Sequence, residues 1–249
     1  MKSAPVRAGM EGEHRHSGAI LHVDDVFKIY AEGSSETVAL RGASLHVMRG
    51  EFVALLGRSG SGKTTLLNLI AGVDRPSAGR IWVEDSDITH LDPDAQAAVR
   101  RRVLGFVFQT NNMIPFLTAR ENVELPLRLN GANTREARQR ATDLLAWVGL
   151  TARQRHYASQ LSGGEAQRVG IASALATHPA LVLADELTGE LDSTTTTAIL
   201  DLIEAINQQQ GTAFLVVTHN SMVAARAHRV LQVRDGVVQE GIDGSSSFC

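Results

Sequence analysis

The chain has 249 residues, 43% of them hydrophobic, which is enough for one large domain or for a domain with an added lobe. A formal net charge of −3 gives no chain-wide basic field for nucleic acid, and a single cysteine, Cys249, rules out an intramolecular disulfide and fits a reducing compartment. The longest apolar run is far too short to cross a bilayer, so work at a membrane needs a spanning part from another chain.

The opening stretch MKSAPVRAGMEGEHRHSGA lacks the apolar core of a signal peptide and reads as a disordered tail over residues 1–19, with a short cap on the fold as the alternative. From residue 20 the pattern is strand-like: LHVDDVFKIY and ASLHVMRGEFVALLG alternate and are rich in β-branched residues. A glycine-rich loop follows, then a helix from Lys63 to about Ala71, and GRIWVEDSDI returns as a strand. The spacing predicts a charged helix from Asp92 to Arg102 and an apolar strand at VLGFVFQ. Residues 118–150 read as helices punctuated by Gly131 and Gly149, and a further helix opens near Leu161. ALVLADE is a buried strand, TTTTAILDLIEAINQQQ a helix, and TAFLVVTHN another buried strand, the last of the core; residues 241–249 form a frayed tail. Continuous apolar strands alternating with helices predict an α/β fold with a parallel sheet covered on both faces.

Three stretches carry chemistry. In GRSGSGKTTL, the residues Gly57, Gly62, Lys63 and Thr64 have the spacing of a phosphate loop, placed between a strand and a helix as that motif requires. Backbone N–H groups of such a loop point at phosphate oxygens, and the helix N-terminus adds partial positive charge. Gly57, Arg58, Ser59, Gly60, Ser61, Gly62, Lys63, Thr64 and Thr65 are therefore the phosphate-binding candidates, with Lys63 on the β- and γ-phosphates and the Thr64 hydroxyl on Mg²⁺. The strand LVLADE ends in Asp185 and Glu186, where ligands lie in a doubly wound sheet. Asp185 is placed for the Mg²⁺ shell and Glu186 for polarising an attacking water, although acids beginning a solvated loop are also common. In LSGGEAQR, Ser162 and Glu165 have capping-box spacing, and the glycine pair Gly163 and Gly164 exceeds what a cap needs. It clears side chains from a second helix N-terminus so that an anion can approach. A head-to-tail dimer would bring each such site against the other and trap nucleotide between them.

With these residues in hand, the chain resembles the ATP-binding subunit of an ABC transporter over roughly residues 20–240, and LSGGE resembles the signature specific to that superfamily. The resemblance implies a P-loop NTPase fold: a RecA-like core, an antiparallel β subdomain near the N-terminus, and an α-helical subdomain over approximately 110–170. It implies that Tyr30 stacks on adenine and that Gln109 contacts Mg²⁺ or water and begins the lobe facing the membrane partner. It likewise implies that Asp192 lies at the dimer interface and His219 donates to the γ-phosphate, while Ser162, Gly163 and Gly164 act in trans and Glu165 joins them among the nucleotide-binding candidates. ATP and Mg²⁺ are the implied ligands. A homodimer and a separate integral-membrane permease are the implied partners, with the subunit peripheral at the cytoplasmic face of the membrane and no nucleic acid involved.

LTARENVELPL, GFVFQ and ADELTGELDS resemble the branch of lipoprotein-releasing, macrolide- and peptide-exporting and cell-division cassettes. The chain departs from that branch at Leu187, where proline is usual, and at Glu190, Ser173 and Asn220, usually Asn or small, Arg and Asp. Leu187 removes a φ constraint beside the catalytic acid, and Glu190 adds negative charge to the loop facing the partner's nucleotide. The departures at Leu187 and Glu190 leave open a nucleotide-dependent regulatory module of low turnover; a non-transport ABC ATPase is a separate alternative, although the chain has neither the long coiled coil of repair types nor the second cassette of ribosomal types.

Overall fold

The structure, a computed structural model, describes residues 18–241 apart from 34, 109–112 and 189–190. The expectations for Gln109, Glu190, Cys249 and the outer parts of both tails concern residues outside the described ones. In chain order the elements are β1 (Ala19–Glu32), β2 (Ser35–Met48), β3 (Phe52–Gly57), α1 (Lys63–Ile70), β4 (Ala78–Val83), β5 (Ser86–Asp87), α2 (Pro93–Val103), β6 (Leu104–Val107) and α3 (Ala119–Leu129). They continue as α4 (Thr134–Trp147), α5 (Gly163–Ala174), β7 (Leu181–Asp185), α6 (Ser193–Gln210), β8 (Ala213–Thr218), α7 (Ser221–Arg226), β9 (Arg229–Arg234) and β10 (Val237–Glu240).

Two sheets result. An antiparallel sheet has the order β2-β1-β4-β5, and a six-stranded sheet has the order β10-β9-β3-β8-β7-β6. In the second, β9, β3, β8, β7 and β6 run parallel and only β10 is antiparallel. Its central strands are apolar at successive positions because the two faces serve different cores. Phe52 and Ala54 of β3, Val182 and Ala184 of β7, and Phe214 and Val216 of β8 pack with Ile199, Ile203 and Ile206 of α6. The alternate residues Val53, Leu55, Leu183 and Leu215 pack with Leu66 and Ile70 of α1 and with Leu21 and Val23 of the antiparallel sheet. Both patterns follow from the twofold side-chain period of a strand.

Three details differ from the sequence expectation. GRIWVEDSDI is two strands, since Glu84 takes φ +53 in a turn between β4 and β5. TAFLVVTHN is not the last core strand: β8 lies centrally, between β3 and β7, and β9 follows it on the far side of β3. The segment 220–240 holds a short helix and a hairpin, turned at Asp235 (φ +51) and Gly236 (φ +81). That Asp-Gly pair between alternating apolar residues is a hairpin signal.

Candidate functional site

The phosphate loop leaves β3, which is hydrogen-bonded on both sides by β8 and β9, so its start is fixed by the sheet. Gly62 precedes α1 with φ +104, and a Cβ there would lie 2.6 Å from Ala39 O, so glycine is required on both counts. Arg58, Ser59 and Gly60 are exposed at the loop tip, Thr65 is half-buried in the first turn of α1, and Ser61 is buried with its Oγ unpartnered. The Lys63 ammonium, with only 8% of the residue exposed, donates to Gly57 O and Arg58 O, both at 2.8 Å. No side chain caps α1, and no acid stands in its first turn. By contrast α2, α3, α4, α5, α6 and α7 are capped by Asp92, Thr118, Asn133, Ser162, Asp192 and Asn220. The open N–H groups of α1 therefore suit an anionic ligand.

Asp185 ends β7 beside this loop, and its Oδ2 accepts from the Thr64 hydroxyl at 3.1 Å. Burial raises the Asp185 carboxyl above the usual range; the Thr64 hydroxyl and Lys63 oppose that shift, and the neighbouring Glu186 reinforces it. A solvent-accessible hydroxyl beside a half-buried carboxylate fits a hard divalent cation such as Mg²⁺, which keeps water and phosphate in its shell rather than an all-protein cage. Consistently, no cluster of three metal-ligating acids, histidines or cysteines occurs among the described residues.

Glu186 takes φ +50, a costly conformation for a residue with a β-carbon, held by its N–H donating to Val217 O at 2.9 Å. Its Oε1 lies 2.9 Å from His219 Nδ1, while its Oε2 is buried without a partner. The structure thus brings Lys63, Thr64, Asp185, Glu186 and His219 to adjacent strand ends of β3, β7 and β8. Leu187, next to Glu186, is 2% exposed and belongs to the helical core. Asn220 donates to the Thr188 hydroxyl at 3.1 Å, pinning the same loop.

The second helix terminus stands apart. α5 packs on α3, α4 and β6, whereas α1 packs on β2, β3, β4 and β7. Ser162 and Glu165 form the capping box. Glu165 is wholly engaged: Oε1 accepts from Arg153 at 2.8 Å and Oε2 from Ser162 N at 2.9 Å. The Arg153 contact, with the Ser162 bonds, brings its pKa down to about 2. The glycines divide in role. A Cβ on Gly163 would have no neighbour nearer than Leu191 at 4.0 Å, but one on Gly164 would lie 2.6 Å from Thr195 Cγ2 in α6. Gly164 is therefore required by packing within the chain, and only Gly163 leaves open approach. Asp192 caps α6, accepting from Thr195 N at 3.0 Å and from the Thr195 hydroxyl at 2.7 Å.

Tyr30 sits on β1, 39% exposed, with its hydroxyl donating to Asp74 Oδ2 at 2.9 Å. Neither Lys28 nor Asp74 was singled out by the motifs; the signal for Lys28 is its i, i+2 spacing to Tyr30 on one strand face. Finally, a groove of about 330 Å³ lies where α2 and β6 meet α3 and α5, lined by Leu104, Phe106, Ile114, Leu125 and Leu129 and by Ser173. Met113 is buried in the core and Phe116 is 78% exposed.

The ABC transporter family model matches residues 40–189. The lipoprotein-releasing system ATP-binding protein LolD of Pseudomonas fluorescens is 47% identical over 218 residues, covering 88% of this chain and 96% of that protein. The macrolide export ATP-binding/permease protein MacB of Hyphomonas neptunium is 44% identical over 219 residues; the match covers 88% of this chain and 34% of that longer protein. Among solved structures, the dimeric post-hydrolysis ATP-binding cassette MJ0796 bound to ADP and Pi matches with a TM-score of 0.83 at 39% identity, covering 88% of this chain and 98% of that one. With the phosphate loop, carboxylate pair and LSGGE helix in one fold, the chain belongs to the ABC transporter family of ATP-binding cassettes.

Proposed function

We propose that the chain binds ATP at the N-terminus of α1, hydrolyses it within a homodimer, and thereby drives a separate membrane permease. The single observation carrying this reading is the uncapped α1 terminus beside Lys63 and the Thr64–Asp185 pair, with Glu186 and His219 at the neighbouring strand ends. Backbone N–H groups from Gly57 to Thr65 donate to the phosphate oxygens, and Lys63 exchanges its two carbonyl partners for phosphate oxygens. Thr64 and Asp185 hold Mg²⁺, with Gln109 assigned by resemblance; the ion supplies positive charge against the phosphate oxygens. Glu186 orients or deprotonates the attacking water through the carboxylate oxygen that has no protein partner. His219 holds the opposite oxygen and faces solvent, from where it reaches the γ-phosphate.

Tyr30 stacks on the adenine. Ser162 and Gly163 of one protomer complete the site of the other. Glu165 and Asp192 act by fixing the helix termini that carry those contacts, because their carboxylate oxygens are already bonded. The groove around Ile114 receives an apolar helix of the permease. No helix among the described residues is long and apolar enough to cross a membrane. The subunit works at the cytoplasmic face through that permease, as the relatives named as transporter ATP-binding proteins favour. The exporter-like branch is favoured by the relatives named for lipoprotein release and macrolide export. Leu187 fills the core rather than the site, so this departure gives no support to a low-turnover module.

The test is ATP binding and phosphate release by the purified chain and its Lys63→Ala variant. Removing a charge-assisted phosphate contact weakens ATP binding itself; unchanged affinity would contradict the assignment of the loop.

A further inference from the structure

Tyr30 is held by two residues, Lys28 and Asp74, that no phosphate or signature motif contains. Lys28 and Tyr30 are two residues apart on β1 and so share a face of the strand. The Lys28 ammonium lies 4.7 Å from the centroid of the Tyr30 ring, over its face. That ammonium is itself immobilised, donating to Asp74 Oδ1 at 2.6 Å and to Arg75 O at 2.8 Å, and its side chain is 11% exposed. Asp74 takes the Tyr30 hydroxyl with its other oxygen at 2.9 Å, so one carboxylate fixes both the ring and the cation against it. Asp74 is fixed in turn: its Oδ1 accepts from Arg75 N at 2.7 Å, and its N–H donates to Asn68 O of α1 at 3.3 Å.

The arrangement spans the gap between the antiparallel sheet and α1. Ile29 N donates to the Ser77 hydroxyl at 3.0 Å and Ser77 N to Phe27 O at 2.8 Å, which locks the 74–77 loop to the same strand. The ring is thereby held at a set distance from the phosphate loop, with one face under a cation and part of its surface open. A cation on one face draws electron density from the ring, and that lowers the repulsion a second π-system meets on the other face.

We propose that Lys28 and Asp74 are positioning residues for the nucleotide base: they hold the Tyr30 ring beside the phosphate loop and polarise it, so that a purine stacks on the face opposite the ammonium. This rests on the reading of Tyr30 as the adenine platform. Stacking on the ring does not by itself tell one purine from another.

The experiment is calorimetric titration of the full chain with ATP and, separately, with inorganic tripolyphosphate, which has the phosphates and no base. The variants are Tyr30→Ala, Lys28→Met, Lys28→Arg and the double variant Lys28→Met with Tyr30→Ala, each checked by a thermal melt. Lys28→Met weakens ATP binding about two- to fivefold, the size of a partly exposed cation–π contact, and leaves tripolyphosphate unchanged. In the Tyr30→Ala background the Lys28 substitution has no further effect on ATP. Lys28→Arg keeps a cation over the ring and stays near wild type; it also serves if Lys28→Met fails to fold. Equal weakening of ATP and tripolyphosphate by Lys28→Met, or additive losses in the double variant, overturns the proposal. Wild-type ATP affinity in Tyr30→Ala overturns the platform reading, and this proposal with it. A loss in Tyr30→Ala with none in Lys28→Met overturns the proposal alone.

Discussion

His219 Nδ1 and Glu186 Oε1 are 2.9 Å apart, across the ends of β8 and β7, and this contact orients a carboxylate whose second oxygen is buried and unpartnered. A residue held at φ +50 with one oxygen tied and the other open is set up to act on a small polar molecule rather than to stabilise the fold. Glu186→Gln preserves shape and loses basicity. We expect ATP binding to persist and steady-state phosphate release to fall by ~10²–10⁴-fold. Wild-type turnover in this variant would remove Glu186 from the chemistry.

Ser162 caps α5 with its side chain accepting from Glu165 N at 3.2 Å, on a helix packed mainly against α3, α4 and β6, whereas α1 packs on β2, β3, β4 and β7. On the proposed trans arrangement, Ser162→Arg places a bulky cation where the partner's nucleotide would arrive. In a Glu186→Gln background, sedimentation with ATP should show monomers for the Arg variant and dimers for its parent, at similar monomer affinity for ATP. Normal dimerisation would show that the signature does not act in trans.

Gly164→Ala separates the two roles of the glycine pair. The new Cβ would meet Thr195 Cγ2 at 2.6 Å, and Thr195 cannot turn away without losing its 2.7 Å bond to Asp192. Overpacking costs about 1–3 kcal/mol, against a helix-propensity gain of at most about 1 kcal/mol. The melt should therefore fall, and Thr195→Ser, which removes the obstructing methyl, should restore it. Destabilisation that Thr195→Ser leaves untouched would mean that the Thr195 methyl is not the obstruction.

The loop at 113–117 sorts by exposure. Met113 is 7% exposed within the helical core, Ile114 lines the groove, and Phe116 is 78% exposed. Met113→Asp should unfold the subunit. Ile114→Asp should leave the melt and basal ATPase activity near wild type and abolish co-purification with the permease, since central anchors contribute at least about 2 kcal/mol each. Retained co-purification with an intact fold would move the docking surface elsewhere.

Much of this was legible in the chain because local rules and tertiary needs coincide there. The Gly-Lys-Thr spacing starts α1 at Lys63, and the continuous apolar runs become β3, β7 and β8, buried on both faces. The rest required non-local information. A residue 31 positions away from Gly164 in the chain, Thr195, determines why it is glycine, and no pattern around LSGGE contains that contact. The tie of Tyr30 to Asp74 spans 44 residues and depends on how the antiparallel sheet docks on α1. Glu165 has the spacing of a capping residue, but only the fold brings Arg153 to its second oxygen. The hairpin at Asp235 and Gly236 is the converse case, a local turn signal that the motif reading passed over because it holds no chemistry.

Among the described residues every α-helix but α1 carries a side-chain cap from its own sequence. The substrate's phosphates thus complete a piece of secondary structure, and nucleotide is in part a folding cofactor. Its free energy of binding adds to the stability of the strand–loop–helix unit as RT ln(1 + [L]/Kd), about 2.7 kcal/mol at a hundredfold excess over Kd. Losing the phosphates after each round of hydrolysis returns the helix to its unfinished form. A cell short of ATP would then hold a softer cassette as well as an idle one.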